Sequence, residues 1–111
     1  MHRLLGVSMT VVFALAGCTL PRNNEELASG QVIFETKCVI CHGTTGHGDG
    51  PLSDTVKPRP PDLSKQGTQQ KGDTELKTIL SKTETGPMSV WNGTFSDDEL
   101  RALIAYIRSL N

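Results

Sequence analysis

Apolar residues are unevenly spaced along this chain of 111 residues. From Leu4 to Gly17, LLGVSMTVVFALAG, weakly polar and apolar residues run without interruption. From Leu27 onward the spacing becomes the three-to-four-residue interval of helices with one apolar face. Gly30, Phe34 and Cys38 fall four apart, which predicts a first helix from Glu25 or Leu27 to Cys38. A second helix is predicted to start near Asp73, a good N-cap, bringing Leu76, Ile79 and Leu80 to one side before Gly86-Pro87 stops it. The third helix is written most strongly. Ser96 with Glu99 makes a capping box, Asp97 and Asp98 suit the positive end of the helix dipole, and Leu100, Leu103, Ile104, Ile107 and Leu110 form an apolar stripe. No stretch alternates apolar and polar residues with β-branched enrichment, so the expected fold class is all-α.

Between the first two helices the pattern fails. Residues 43–72 are dominated by Gly, Pro, Thr, Ser, Gln and Lys and have little to bury. Beyond the opening segment the chain has four aromatic residues, Phe34, Trp91, Phe95 and Tyr106, for about 85 residues of folded protein. A chain of this size often needs a staple or cofactor. Here it wants a large apolar body supplied from outside.

The opening segment has the layout of an export signal: a basic start at Arg3, a short apolar stretch and a small-residue processing site. Its apolar run is shorter than the roughly 20 residues of a membrane-spanning helix. Leu15-Ala16-Gly17-Cys18 is similar to the lipobox of bacterial lipoproteins, where cleavage precedes a cysteine that is then lipidated. The expected organisation is therefore a lipoprotein signal peptide over 1–17, a lipidated N-terminus and polar spacer over 18–26, and one domain over 27–111. An ordinary cleaved signal, giving a soluble periplasmic protein, is the alternative. Losing residues 1–17 removes Arg3 and leaves ten Lys and Arg against twelve Asp and Glu. No basic stripe points to nucleic acid, and no further segment is long and apolar enough to cross a membrane.

Composition then meets chemistry. The chain has three cysteines and three histidines, and four of those six residues lie within 38–47. Cys38-Val39-Ile40-Cys41-His42 is the pattern of covalent c-type haem attachment. Two thiols one helical turn apart reach the two vinyl groups of a porphyrin edge, and the following imidazole supplies an axial iron ligand. A zinc site would want about four ligands, and the chain lacks a second Cys or His pair. A thioredoxin-like pair wants β-α-β surroundings, absent here, and a lone disulfide leaves His42 without a role. With Cys18 on lipid and Cys38 and Cys41 on haem, no thiol is left over for an oxidising compartment.

The second axial ligand follows by elimination. Met1 and Met9 leave with the signal, so Met88, 46 residues after His42 in TGPMSVWNG, is the one methionine of the mature chain. Gly86-Pro87 before it is expected to release the chain to run extended across a haem face. His47, five residues after His42 in a glycine-rich loop, reads as solvated. Residues 57–63, KPRPPDL, read as an extended polyproline segment along the haem edge, with Lys57 and Arg59 facing solvent, a propionate or a partner.

Three features together, CVICH, a single methionine about fifty residues later and the terminal SDDELRALIAYIRSL, make residues 27–111 resemble a class I cytochrome c. The resemblance implies first and last helices crossing nearly at right angles around one covalently bound haem c. Gly30 and Phe34 would meet Leu103 and Tyr106 at that crossing. It also implies that the Pro51 carbonyl accepts the His42 Nδ1 hydrogen. Trp91, three residues after Met88, either packs on or hydrogen-bonds near a haem propionate or only fills the core. With both axial positions filled, by His42 and Met88, the expected function is a one-electron carrier with redox proteins as donor and acceptor and no small-molecule substrate. The alternatives are a haem subunit of a larger redox enzyme, or an open-site haem reacting with gases or peroxide. Thr19 after the lipidated cysteine, in place of an aspartate retention signal, leans the membrane assignment toward the outer membrane by resemblance.

Overall fold

A computed structural model describes residues 11–12, 17 and 22–111. Cys18, with nearly all of the expected signal segment, lies outside the described residues. Among the described residues there are helices α1 (Arg22–Lys37), α2 (Val39–His42), α3 (Gln66–Gln69), α4 (Asp73–Lys82) and α5 (Asp97–Arg108), a 3₁₀ turn at Pro87–Trp91, and no strand. None of these helices is long and apolar enough to cross a membrane.

α1 begins earlier than its apolar spacing predicts, taking in residues 22–26 of the expected spacer. Nothing in RNNEE interrupts a helix, and Glu25 in the first turn and Lys37 in the last match the two ends of the dipole. Arg101 on α5 holds this added turn, its Nε lying 3.5 Å from the Glu26 carboxylate.

The core forms where α1 and α5 pack together. A Cβ at Gly30 would stand 1.9 Å from the Ala102 carbonyl oxygen and 2.9 Å from Tyr106 Cβ, so only glycine lets the two backbones approach this closely. One turn on, Phe34 and Leu103 are 1% and 0% exposed, and the Phe34 and Tyr106 rings meet at 5.2 Å with a 52° tilt. Leu100, Ile104 and Ile107 extend this core toward Leu76 and Leu80 of α4. At the start of α5 the capping box is complete: the Glu99 amide donates to Ser96 Oγ at 3.1 Å, and the Ser96 amide to the Glu99 carboxylate at 3.0 Å.

Two expectations about the middle of the chain are corrected. Asp73 does not cap α4; Gly72, extended at φ −69° and ψ 159°, holds that position. The Asp73 carboxylate instead accepts from Arg108 at 2.8 Å, near the end of α5. Arg108 also donates to the carbonyls of Gln69, at 2.9 Å, and Lys71, while Gln69 Nε2 donates to the carbonyls of Leu63 and Ile107 at 2.8 and 2.9 Å. These side chains fasten the loop segment to the end of α5. Nor does the chain run extended at Met88. Pro87 opens a 3₁₀ turn, where its missing N–H costs nothing, and the Ser89 hydroxyl closes the turn on the Gly86 carbonyl at 2.6 Å.

Candidate functional site

α2 carries α1 onward by one turn: the Cys38 amide donates to the Phe34 carbonyl at 2.9 Å and the His42 amide to the Cys38 carbonyl at 2.8 Å. The turn places Cys38 and Cys41 three residues apart on helical backbone, with both thiols free. The glycine-rich loop then folds back and satisfies the carbonyls that α2 leaves open. The amides of Gly50, Gly48 and Leu52 donate to the carbonyls of Cys41, His42 and Ile40 at 3.1, 2.8 and 2.9 Å. A Cβ at Gly50 would sit 2.5 Å from the carbonyl oxygens of both Val39 and Ile40, which explains a glycine there.

Two adjoining cavities open beside this turn. The deeper, about 110 Å³, is walled by core residues including Phe34, Leu63, Leu80 and Ile107. The wider, about 420 Å³, is bordered by both cysteines, the proline segment and the 3₁₀ turn. Cys38, His42, Pro61 and Met88 line both, so the cavities are parts of one apolar space onto which two thiols, an imidazole and a thioether converge.

Burial shifts the titration of two of these residues, Cys38 and His42. The Cys38 thiol is pushed up to about 11 by burial, with Lys37 pulling the other way. His42, 8% exposed, has its pKa lowered by burial, while the Pro61 backbone acts to raise it. The imidazole is therefore neutral at neutral pH, the form with a lone pair for a metal. Its Nδ1 is buried with no hydrogen-bond partner. The expected partner, the Pro51 carbonyl, does not take this hydrogen: Pro51 lies exposed in the turn over 51–55, and the main-chain group acting on the ring belongs to Pro61. The cause is non-local. Leu63, 9% exposed, anchors in the core, its amide donates to the Gly46 carbonyl at 2.7 Å, and the proline segment is drawn over the imidazole. A prolyl-prolyl pair just before a leucine in an otherwise polar loop is the signal in the sequence for this anchor.

The remaining expected residues also fall around this space. Met88 is half-buried and packs against the core. Trp91 lines the wider cavity, stacked on Phe95 at 5.7 Å with the Lys37 ammonium 5.6 Å from its ring centre. Arg59 borders the same cavity and pairs with Asp54 at 2.9 Å, both exposed. His47 is exposed and bonded to Thr45 Oγ1 at 2.9 Å, away from the cavity lining. Among the described residues no cluster of three or more His, Cys, Asp or Glu is arranged for a metal ion, the arrangement a structural zinc site would need. An unpartnered buried imidazole, two free thiols on one helical turn and a thioether around an apolar space are instead the donors that suit a covalently held haem.

Known proteins agree with this chemistry. The family described as cytochrome c oxidase, cbb3-type, subunit III matches residues 25–107. Cytochrome c6 of Tetradesmus obliquus is 33% identical over 86 residues, 74% of this chain and 88% of that protein. The cbb3-type cytochrome c oxidase subunit FixP of Bradyrhizobium diazoefficiens is 28% identical over 90 residues, 80% of this chain and 29% of FixP. A solved chain of the Kuenenia stuttgartiensis reducing HAO-like protein complex shares the fold with a TM-score of 0.67 and 28% identity, over 85% of this chain and 47% of that one. This chain thus spans most of cytochrome c6 but under a third of FixP and under half of the solved chain. With the subunit III family matching over residues 25–107 and a relative one-third identical across most of both lengths, the chain belongs to the class I c-type cytochromes, all-helical haem proteins that carry electrons.

Proposed function

We propose that this protein is a monohaem c-type cytochrome that carries single electrons between redox proteins, exported and tethered to a bacterial membrane through lipid on Cys18. The observation that carries the reading is the single apolar space lined by Cys38, Cys41, His42 and Met88. When bound there, haem supplies a reversible one-electron iron couple whose potential the axial ligands and burial set.

The chain's own residues divide the work. Cys38 and Cys41 would hold haem covalently as two thioethers at the α2 turn. His42, neutral and buried, would present its ring to the iron, with the Pro61 main chain beside it acting to raise its basicity. Met88 would supply a thioether as the second iron ligand, which favours the reduced state and would close the iron to a substrate. Trp91 borders the wider part of the site, where it would pack on or hydrogen-bond near a haem propionate. Carbon monoxide tests this arrangement. The reduced protein should refuse it, and the ferric protein should show a far-red sulfur-to-iron band that disappears in Met88→Ala. Rapid, stoichiometric uptake by the unsubstituted protein would mean an open-site haem.

Export and tethering rest on the apolar segment and on Leu15-Ala16-Gly17-Cys18, with Thr19 favouring the outer membrane. More than one acyl chain makes such an anchor firm, and tethering raises the effective concentration of carrier near membrane partners. Cys18→Ser should move the protein from the membrane fraction to the soluble periplasm. The match to an oxidase subunit family favours a second reading, a haem subunit of a larger redox enzyme. Stoichiometric co-purification of another redox subunit would establish it.

A further inference from the structure

Gln69, in α3, donates from its side-chain amide to main chain of two distant segments. Its Nε2 reaches the Leu63 carbonyl at 2.8 Å and the Ile107 carbonyl at 2.9 Å, so both amide hydrogens are used. Its own carbonyl accepts from Arg108 at 2.9 Å, and the Asp73 carboxylate braces Arg108 in turn at 2.8 Å. One half-buried amide therefore fixes the separation between residue 63 and the last turn of α5. The bridge stands just behind the deeper cavity, whose wall includes the neighbouring Thr68 and the Ile107 side chain. Leu63 is held at its amide as well, by the Gly46 carbonyl, and its side chain is sealed in the core. Pro61 lies two residues back, its φ locked by the ring, and lines both cavities with His42. Burial lowers the pKa of the His42 ring and the Pro61 main chain acts to raise it, yet the buried Nδ1 has no hydrogen-bond partner. Hydrogen-bond strength falls steeply with distance and angle, so where Pro61 stands decides how far it draws on that hydrogen.

We infer that Gln69 is a positioning residue: by bridging the Leu63 and Ile107 carbonyls it holds the Pro61 segment beside the His42 ring, and so sets the electron density the imidazole offers to iron. The inference rests on His42 ligating haem iron, and adds to that reading a residue outside the cavity lining that tunes the couple. A carbonyl drawing on the Nδ1 hydrogen makes the imidazole a stronger donor and favours the ferric state. Release of that carbonyl favours the ferrous state and raises the potential.

Gln69→Met keeps the length of the side chain, removes both donors and changes no charge. In the haem-loaded protein it should raise the reduction potential and speed exchange of the His42 Nδ1 hydrogen, followed by NMR, by about tenfold or more. The far-red sulfur-to-iron band should stay in place, because Met88 is carried by the separate Pro87–Trp91 turn. Ser96→Ala is the control for stability alone. It weakens the other end of α5, again with no change of charge, and should leave the potential and the ring exchange at their parent values. The unsubstituted protein supplies a measurement that depends on no variant: the Gln69 side-chain amide hydrogens should exchange far more slowly than those of exposed Gln70. Three results would each overturn the positioning role in a protein that still holds its haem. They are a potential and ring exchange unmoved by Gln69→Met, the same shifts in Ser96→Ala, and Gln69 hydrogens as exchangeable as those of Gln70. An unsubstituted protein without the spectrum of a histidine-ligated haem would instead overturn the haem reading itself.

Discussion

The α1–α5 crossing and the loop between residues 43 and 72 surround the same site by different means. At the crossing, side chains fill the space: Phe34 and Leu103 are sealed, Gly30 admits the opposing backbone, and the rings of Phe34 and Tyr106 meet. The loop has few apolar side chains to contribute. It is held by main-chain amides closing on α2, by Leu63 in the core, and by Gln69 and Arg108 reaching across to the end of α5. The helical half carries its own core, whereas the loop half is shaped around an apolar body it does not itself provide. A cofactor domain this small can be stable because those two economies meet at one surface.

The largest expected effect is at the crossing. Gly30→Val should lower stability by about 3 kcal/mol or more, since a Cβ placed 1.9 Å from the Ala102 carbonyl oxygen meets backbone that cannot step aside. Denaturant unfolding of the haem-loaded protein measures it. The loop half should respond through its glycines, selectively. Gly50→Ala, whose Cβ would crowd two α2 carbonyls, should cost about 1–3 kcal/mol. Gly67→Ala, in α3 with open space around it, should instead stabilise by about 0.5–1 kcal/mol. Equal responses at 50 and 67 would remove the distinction between a loop built by close approach and one merely rich in small residues.

Smaller effects test the start of α5. Ser96→Ala removes one half of the capping box and should cost about 1 kcal/mol in thermal or denaturant unfolding. The smallest concerns Asp97, which the Lys77 hydrogen bond and charge hold below its ordinary value of 3.8. A depressed carboxyl stabilises the fold above its unfolded pKa and loses that contribution as the pH falls through its folded one. Asp97→Asn should therefore be slightly less stable than the parent at neutral pH, with the difference closing below pH 3.8. A difference that persists or widens in acid would mean the pair is not what matters there.

Much of the helical half could be read from the sequence because its determinants are local. The capping box, the apolar stripe of α5 and the four-residue spacing of Gly30, Phe34 and Cys38 each lie within a few residues. The Cys-x-x-Cys-His turn was legible for the same reason. Where contacts span long stretches of chain, local reading failed. Asp73 looks like a cap, yet its carboxylate is taken by Arg108, 35 residues away. Pro51 has the look of the imidazole's partner, and Pro61 stands nearer that role because Leu63 and the Gly46 carbonyl pull its segment inward. Met88 occupies a 3₁₀ turn and not an extended strand because Pro87 suits a first helical position, and Ser89 ties the turn off. The early start of α1 was missed because its first turn is polar and shows no apolar period.

The central claim is that haem is bonded to Cys38 and Cys41 in this apolar space. The most direct measurement is a visible spectrum of the purified protein, matured in a host able to attach haem, after acid-acetone extraction. The colour should stay with the polypeptide, and alanine at either cysteine should weaken its retention. Pigment that passes wholly into the solvent, or a colourless protein holding zinc, would contradict it.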